Sequence, residues 1–216
     1  MDRLLWHVEE ARLKVSEHHI VQIIAVGKYT ETENIETLYS LGQRAFGENQ
    51  VQQLRERSEA LEALPIAWHM IGTLQKNKIN NLIDLHPSLM HSLDSLSLAN
   101  ALNKKLEAKN QRMKCLLQIN AAREESKSGA MPEEAVDTYQ QISETCPAIS
   151  LQGVMGIGAH TGERKVIQKS FETTHHIYET LQKEGAKICS MGMSGDYELA
   201  IACGSNMIRV GSALFK

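Results

Sequence analysis

The chain has 216 residues, 42% hydrophobic and 23% charged, with a formal net charge of −3, which fits one soluble globular domain with a sizeable core. No basic run is present, which argues against a nucleic-acid partner, and no stretch approaches the roughly 18 consecutive apolar residues of a membrane span. Arg3, Glu9, Glu10, Arg12, Lys14 and Glu17 break up the start of the chain, which excludes a signal-peptide core there. Cys115, Cys146, Cys189 and Cys203 lack C-x-x-C spacing and read as free thiols in a reducing cytoplasm.

Leu4, Leu5, Val8, Ala11, Leu13 and Val15 predict a helix ahead of any strand. From there short apolar runs alternate with longer amphipathic stretches. Runs at 21–27, 44–48, 67–72, 89–93, 114–120, 149–157, 187–193 and 206–211 predict eight strands. Helices are predicted between them. The first carries Ile35, Leu38 and Leu41, and the next Val51, Leu54, Leu61 and Leu64. Leu96, Leu98, Leu102 and Leu106 mark another. Ala135, Val136, Tyr139 and Ile142 mark one opened by Pro132 as an N1-type residue. Phe171, Ile177, Tyr178 and Leu181 mark the longest, ended by Gly185 as a C′ glycine. This alternation predicts an α/β fold, a (β/α)8 TIM barrel with an extra N-terminal helix, as a single domain over 1–216. A doubly wound open sheet is the alternative. In a barrel, functional residues gather at the C-terminal ends of strands. Met155, Met191, Met193 and Met207 are expected to fill its interior.

Three features at the predicted strand ends can carry chemistry. Lys28 closes Ile23-Ile24-Ala25-Val26-Gly27-Lys28. A lysine desolvated at a barrel mouth becomes a nucleophilic amine suited to Schiff-base formation; the plain alternative is a lysine reaching into water. Arg209 interrupts an apolar strand and must find acceptors, either a carboxylate such as Glu48 or a ligand's ring nitrogen or phosphate. Gly192, Gly195 and Gly211, with the hydroxyls of Ser194 and Ser212 and Asp196 as N-cap of a following helix, outline a phosphate site after strands seven and eight. A set of tight turns is the alternative. No H-E-x-x-H is present and no metal site is expected; His69 reads as a strand histidine lining the mouth.

In combination these motifs resemble the YggS/PROSC family of pyridoxal 5′-phosphate (PLP) binding, or PLP homeostasis, proteins. The resemblance rests on Ala25-Val26-Gly27-Lys28, Phe46-Gly47-Glu48-Asn49 and Trp68-His69-Met70-Ile71-Gly72 with Leu74-Gln75-x-Asn77-Lys78. It extends to Ser126-Lys127-Ser128-Gly129, Ser190-Met191-Gly192-Met193-Ser194-x-Asp196 and Arg209-Val210-Gly211-Ser212-Ala213-Leu214-Phe215. The family is similar to the barrel domain of fold-type III PLP enzymes such as alanine racemase. The resemblance implies that Lys28 is the Schiff-base lysine holding PLP as an internal aldimine. It implies that Ser194, Gly211 and Ser212 hold the phosphate, that Arg209 faces the pyridine nitrogen, and that Asn49 and His69 line the cofactor pocket. Family members usually carry Ser where Gly27 stands, and Lys-Thr-Lys-Pro or similar where this chain reads Lys28-Tyr29-Thr30-Glu31. The stretch Met155-Gly156-Ile157-Gly158-Ala159-His160 replaces a more proline-rich loop.

The implied function is intracellular PLP homeostasis: a cytoplasmic carrier, expected to be a monomer, with PLP-dependent apo-enzymes as recipients. An arginine at the ring nitrogen holds it unprotonated and makes the ring a poor electron sink. Racemases of this fold add a tyrosine from a second domain, which is not expected in a chain ending straight after strand eight. Strong catalysis is therefore not expected. The rival readings are a small PLP racemase or lyase, and a phosphosugar aldolase using Lys28.

Overall fold

The structure is a computed structural model that describes residues 1–28, 30–124 and 127–214. Tyr29, Ser126 and Phe215, which belong to the motifs quoted above, lie outside the described residues. Helix α1 (Asp2–Val15) precedes β1 (Gln22–Val26), α2 (Thr32–Ser40), β2 (Ala45–Glu48), α3 (Val51–Ala60) and β3 (Ala67–Met70). There follow α4 (Ile79–Ile83), β4 (Leu89–Leu93), α5 (Leu96–Ala108), β5 (Met113–Ile119), α6 (Ala135–Thr145) and β6 (Ile149–Gly156). The last elements are α7 (Arg164–Leu181), β7 (Ile188–Ser190), α8 (Tyr197–Ala202) and β8 (Met207–Val210). All strand pairs are parallel, and β8 closes on β1 with Ile24 opposite Arg209 and Ala25 opposite Val210. The predicted barrel and its leading helix are both present.

Strand alternation divides the apolar residues between two cores. Phe46, Met70, Met90, Leu117, Val154, Ile208 and the buried helix faces form the larger one, between barrel and helices. Ile24, Ala45, Leu89, Leu116, Met155 and Met207 form a separate, smaller cluster inside the barrel. Both faces of each strand are thus covered, as parallel sheets require. Met155 and Met207 fill the interior as predicted. Met191 instead joins the outer core, and Met193 is 42% exposed, because β7 ends at Ser190 and the chain turns away.

Helix boundaries follow local chemistry. Ser95 caps α5 by accepting from the Leu98 N–H at 3.2 Å. Gly185 ends the short 3-10 turn after α7 in the left-handed conformation, φ 92°. Pro132 lies upstream of α6, which begins at Ala135, so it is not an N1 residue. Leu41 is the C-cap of α2 and is 61% exposed, so only Ile35 and Leu38 of that predicted face are buried. Among the described residues all four cysteines are free thiols, and no helix is long and apolar enough to cross a membrane. Leu102, wholly buried on α5, offers a test of the outer core. Leu102→Ala is expected to destabilise the fold by about 2–5 kcal/mol, read from urea unfolding midpoints.

Candidate functional site

Parallel strands in a closed barrel bring every strand's C-terminal end to one face. Five of the seven candidate residues lie beyond those ends, and His69 and Arg209 are the penultimate residues of β3 and β8, all on the contiguous sector β7, β8, β1, β2, β3. Lys28 follows β1 and is exposed, so the desolvation that sequence reasoning invoked is not what the barrel supplies there. Asn49 follows β2 and is half-buried, lining a polar cavity of about 440 Å³ with Thr73, Gln75 and Lys78. Ser194 is half-buried in the loop after β7, and Ser212 is exposed after β8. Gly211 runs against β1: a Cβ there would lie 3.2 Å from the Val26 carbonyl oxygen. That contact places the β8 loop beside the segment carrying Lys28.

Part of the glycine–serine segment is drawn together at the barrel mouth. The backbone N–H groups of Gly211 and Ala213 both donate to Ser194 Oγ, at 3.1 and 3.3 Å. Both amides are satisfied by this hydroxyl, which ties the loop after β7 to the loop after β8. Other parts of the sequence argument need correction. Gly192 is required by φ +93° and by packing, since a Cβ would meet Ala200 Cβ at 2.7 Å. A Cβ on Gly195 would meet no described protein atom within 4 Å. Asp196 occupies the N-cap position of α8, but its carboxylate accepts from the Met193 N–H at 2.7 Å instead of capping that six-residue helix. Burial raises the Asp196 pKa, against the lowering by that bond and by Arg209.

Beneath the mouth, four polar side chains cross the barrel interior. His69, His91, Ser190 and Arg209 each lie two residues beyond an interior apolar residue: Ala67, Leu89, Ile188 and Met207. His69 Nδ1 and His91 Nε2 are 2.9 Å apart, and His91 Nδ1 is 3.2 Å from Ser190 Oγ. Arg209 Nη1 donates to Ser190 Oγ and, at 2.9 Å, to the Ser190 carbonyl; Nη2 donates to the Gly156 carbonyl at 2.9 Å. With the Ser190 O–H as donor to His91 Nδ1, the chain runs on from His91 Nε2–H to His69 Nδ1. That requires both imidazoles neutral. Burial lowers the His69 pKa to about 4. It lowers His91 well below its ordinary value too, with help from His69 and Arg209. Burial also pushes Arg209 down to about 10, which leaves it charged. Arg209 makes three hydrogen bonds among the described residues, against five N–H donors available.

The carboxylate suggested as a partner for Arg209 belongs elsewhere. Glu48 pairs with Arg57 of α3, and Arg57 also binds the loop that carries Lys28. At Gly27 a Cβ would overlap both Arg57 Nη1 and Glu48 Oε1, so a larger residue there would require these two side-chain ends to shift. Sequence reasoning missed His91, Ser190, Arg57 and the Ala213 amide. His91 alone had a readable signal, since Leu89-Met90-His91 repeats the alternation of Ala67-Trp68-His69. Among the described residues no cluster of His, Cys, Asp and Glu could hold a metal ion.

The family model described as "Alanine racemase, N-terminal domain" matches residues 2–216. A pyridoxal phosphate homeostasis protein of Helicobacter pylori strain J99 is 53% identical over 216 residues, spanning 100% of this chain and 96% of that protein. PipY of Synechococcus elongatus PCC7942, solved with PLP bound, superposes with a TM-score of 0.82 at 31% identity, over 97% of this chain and 100% of that one. Alanine racemase of Clostridium difficile 630 superposes with a TM-score of 0.76 at 17% identity, over 100% of this chain and 56% of that one. That last likeness is one of fold.

Proposed function

Because the chain belongs to the pyridoxal phosphate homeostasis protein family, built on the barrel of the alanine racemase N-terminal domain, we propose that it binds PLP and limits the free concentration of this reactive aldehyde. The observation that carries the reading is the convergence of the Gly211 and Ala213 amides on Ser194 Oγ, in a loop packed against the end of β1, next to Lys28. An anion site, a primary amine and a buried guanidinium on one sector match the three reactive parts of PLP: phosphate, aldehyde and ring nitrogen. When bound, the cofactor supplies an aldehyde that condenses reversibly with an amine. Lys28 is the amine. Ser194, Gly211 and Ser212, with the Ala213 amide, hold the phosphate. Arg209 keeps the proton off the ring nitrogen, and Asn49 and His69 line the pocket. The protein acts as a cytoplasmic, monomeric carrier that hands its cofactor to PLP-dependent apo-enzymes, with residues 1–216 as one PLP-binding domain.

The phosphate assignment is tested by comparing PLP with unphosphorylated pyridoxal. Each hydroxyl bond to a charged oxygen is worth about 1.5–3 kcal/mol. Ser194→Ala and Ser212→Ala are each expected to weaken PLP by about tenfold to a hundredfold and to leave pyridoxal almost unchanged. Equal losses for both ligands would show that these serines do not read the phosphate.

A carrier and a racemase differ in proton exchange. A fixed positive charge at Arg209 disfavours the protonated ring that carbanion chemistry uses. Deuterium from solvent is expected to enter the α-position of L- and D-alanine far below ordinary enzyme rates of about 1–10³ s⁻¹, followed by NMR. Arg209→Glu, if it folds, is expected to raise whatever exchange exists. Rapid exchange in the wild type would replace the carrier reading with the racemase one.

A further inference from the structure

We propose that Arg57 is the positioning residue for Lys28: its guanidinium grips the loop on both sides of that lysine and fixes where the amine meets an incoming aldehyde. This inference rests on the PLP reading and deepens it. Nη1 donates to the Gly27 carbonyl and Nη2 to the Thr30 carbonyl, each at 2.6 Å. Lys28 lies between these two carbonyls. The Thr30 N–H returns to the Gly27 carbonyl at 3.1 Å, and Asn34 Nδ2 donates to Thr30 Oγ1 at 3.0 Å, so Arg57 grips a turn that is also held at its far side. Arg57 is itself fixed. Its Nη1 pairs with Glu48, whose side chain is fully buried at the end of β2, while the Arg57 side chain is 13% exposed. Glu48 Oε2 has no hydrogen-bond partner among the described residues, so Arg57 is the group that compensates this buried carboxylate. The guanidinium thus ties α3, the end of β2 and the lysine loop into one unit.

The arrangement calls for arginine and for glycine. Three acceptors spread across a planar fork cannot all be met by one lysine ammonium. Any side chain at Gly27 would occupy the volume of Arg57 Nη1 and Glu48 Oε1. Gly27 and Arg57 are therefore coupled, and removing Arg57 removes one of the two contacts that a Gly27 side chain would meet, the other being Glu48 Oε1.

The experiment compares PLP with pyridoxine 5′-phosphate, which carries an alcohol in place of the aldehyde and cannot bond covalently to Lys28. Misplacing a reacting group by about 1 Å can cost on the order of 100-fold. Arg57→Lys and Arg57→Ala are expected to weaken PLP about 10- to 100-fold and to change the alcohol analogue less than about twofold. Backbone amide exchange of the 27–31 segment, measured without cofactor, is expected to rise in both variants. Gly27→Ala is expected to reproduce the PLP loss in the wild-type background and to add less than that in an Arg57→Ala background, where only the Glu48 contact remains. Where Arg57→Ala does not fold, Arg57→Lys and Gly27→Ala carry the comparison. Equal losses for both ligands, or wild-type PLP affinity with unchanged exchange, overturn the assignment. A wild-type protein that binds neither ligand overturns the PLP reading itself.

Discussion

Lys28→Ala is expected to abolish covalent capture of PLP altogether while leaving weaker, reversible binding through the phosphate contacts. The expectation separates the two halves of the site. The proposed anion-binding half is built on Ser194 Oγ and the amides of Gly211 and Ala213, in the loops after β7 and β8. The other half depends on a single amine. Two further lysines in the quoted motifs compete for the role, and the structure gives each another setting. Lys127 Nζ pairs with Glu124 Oε1 at 2.8 Å and donates to the Gly158 carbonyl at 3.0 Å, joining the loops after β5 and β6. Lys78 lines, with Asn49, a cavity whose lining does not include Lys28. Borohydride treatment makes an amine–aldehyde link permanent, and peptide mass mapping then locates the pyridoxyl group. It is expected on Lys28 in the wild type and nowhere in Lys28→Ala. A label on Lys127 or Lys78 with Lys28 unmodified would move the covalent site to another loop.

The architecture was legible because a parallel barrel writes itself as a period. Eight apolar runs, each too short for a helix and separated by amphipathic stretches, leave few other ways to cover both sheet faces. Residues at strand ends were legible for the same reason: Lys28, Asn49, Ser194 and Gly211 sit where an apolar run stops. What was hidden depends on closure of the barrel. Nothing in the local sequence says that His69, His91, Ser190 and Arg209 meet, because they lie on β3, β4, β7 and β8 and touch only across the interior. Arg57 was hidden differently. On α3 it reads as one charge on a solvated face, and its role comes from partners 9, 27 and 30 residues away. Asp196 shows the limit of position-based reasoning: the residue sits at the N-cap, yet its side chain turns to Met193.

The histidine pair makes stability pH-dependent, with a definite sign. An unfolded histidine titrates near 6.5. In the fold, burial holds His69 at about 4 and His91 well below its ordinary value. Between about 6.5 and about 4 the unfolded chain therefore binds more protons than the folded one, so unfolding free energy rises with pH across that window. The two neutral rings contribute fully above the unfolded value, and their contribution is lost as the pH falls towards the folded values. Each histidine adds a slope of up to about 1.4 kcal/mol per pH unit. For His69 alone the whole shift amounts to about 3 kcal/mol. Glu48 and Asp196 act in the opposite sense low in the window, because burial raises their pKa values and the fold then holds their protons. The histidine contribution is isolated by comparing the wild type with His69→Gln through urea unfolding at about pH 7 and about pH 5. The wild type is expected to lose stability on acidification more steeply than His69→Gln. Ring-proton NMR of the folded protein should show neither buried imidazole titrating near 6.5. Equal pH slopes in the two proteins, or a His69 resonance titrating at its unfolded value, would mean that the interior chain does not hold these rings neutral.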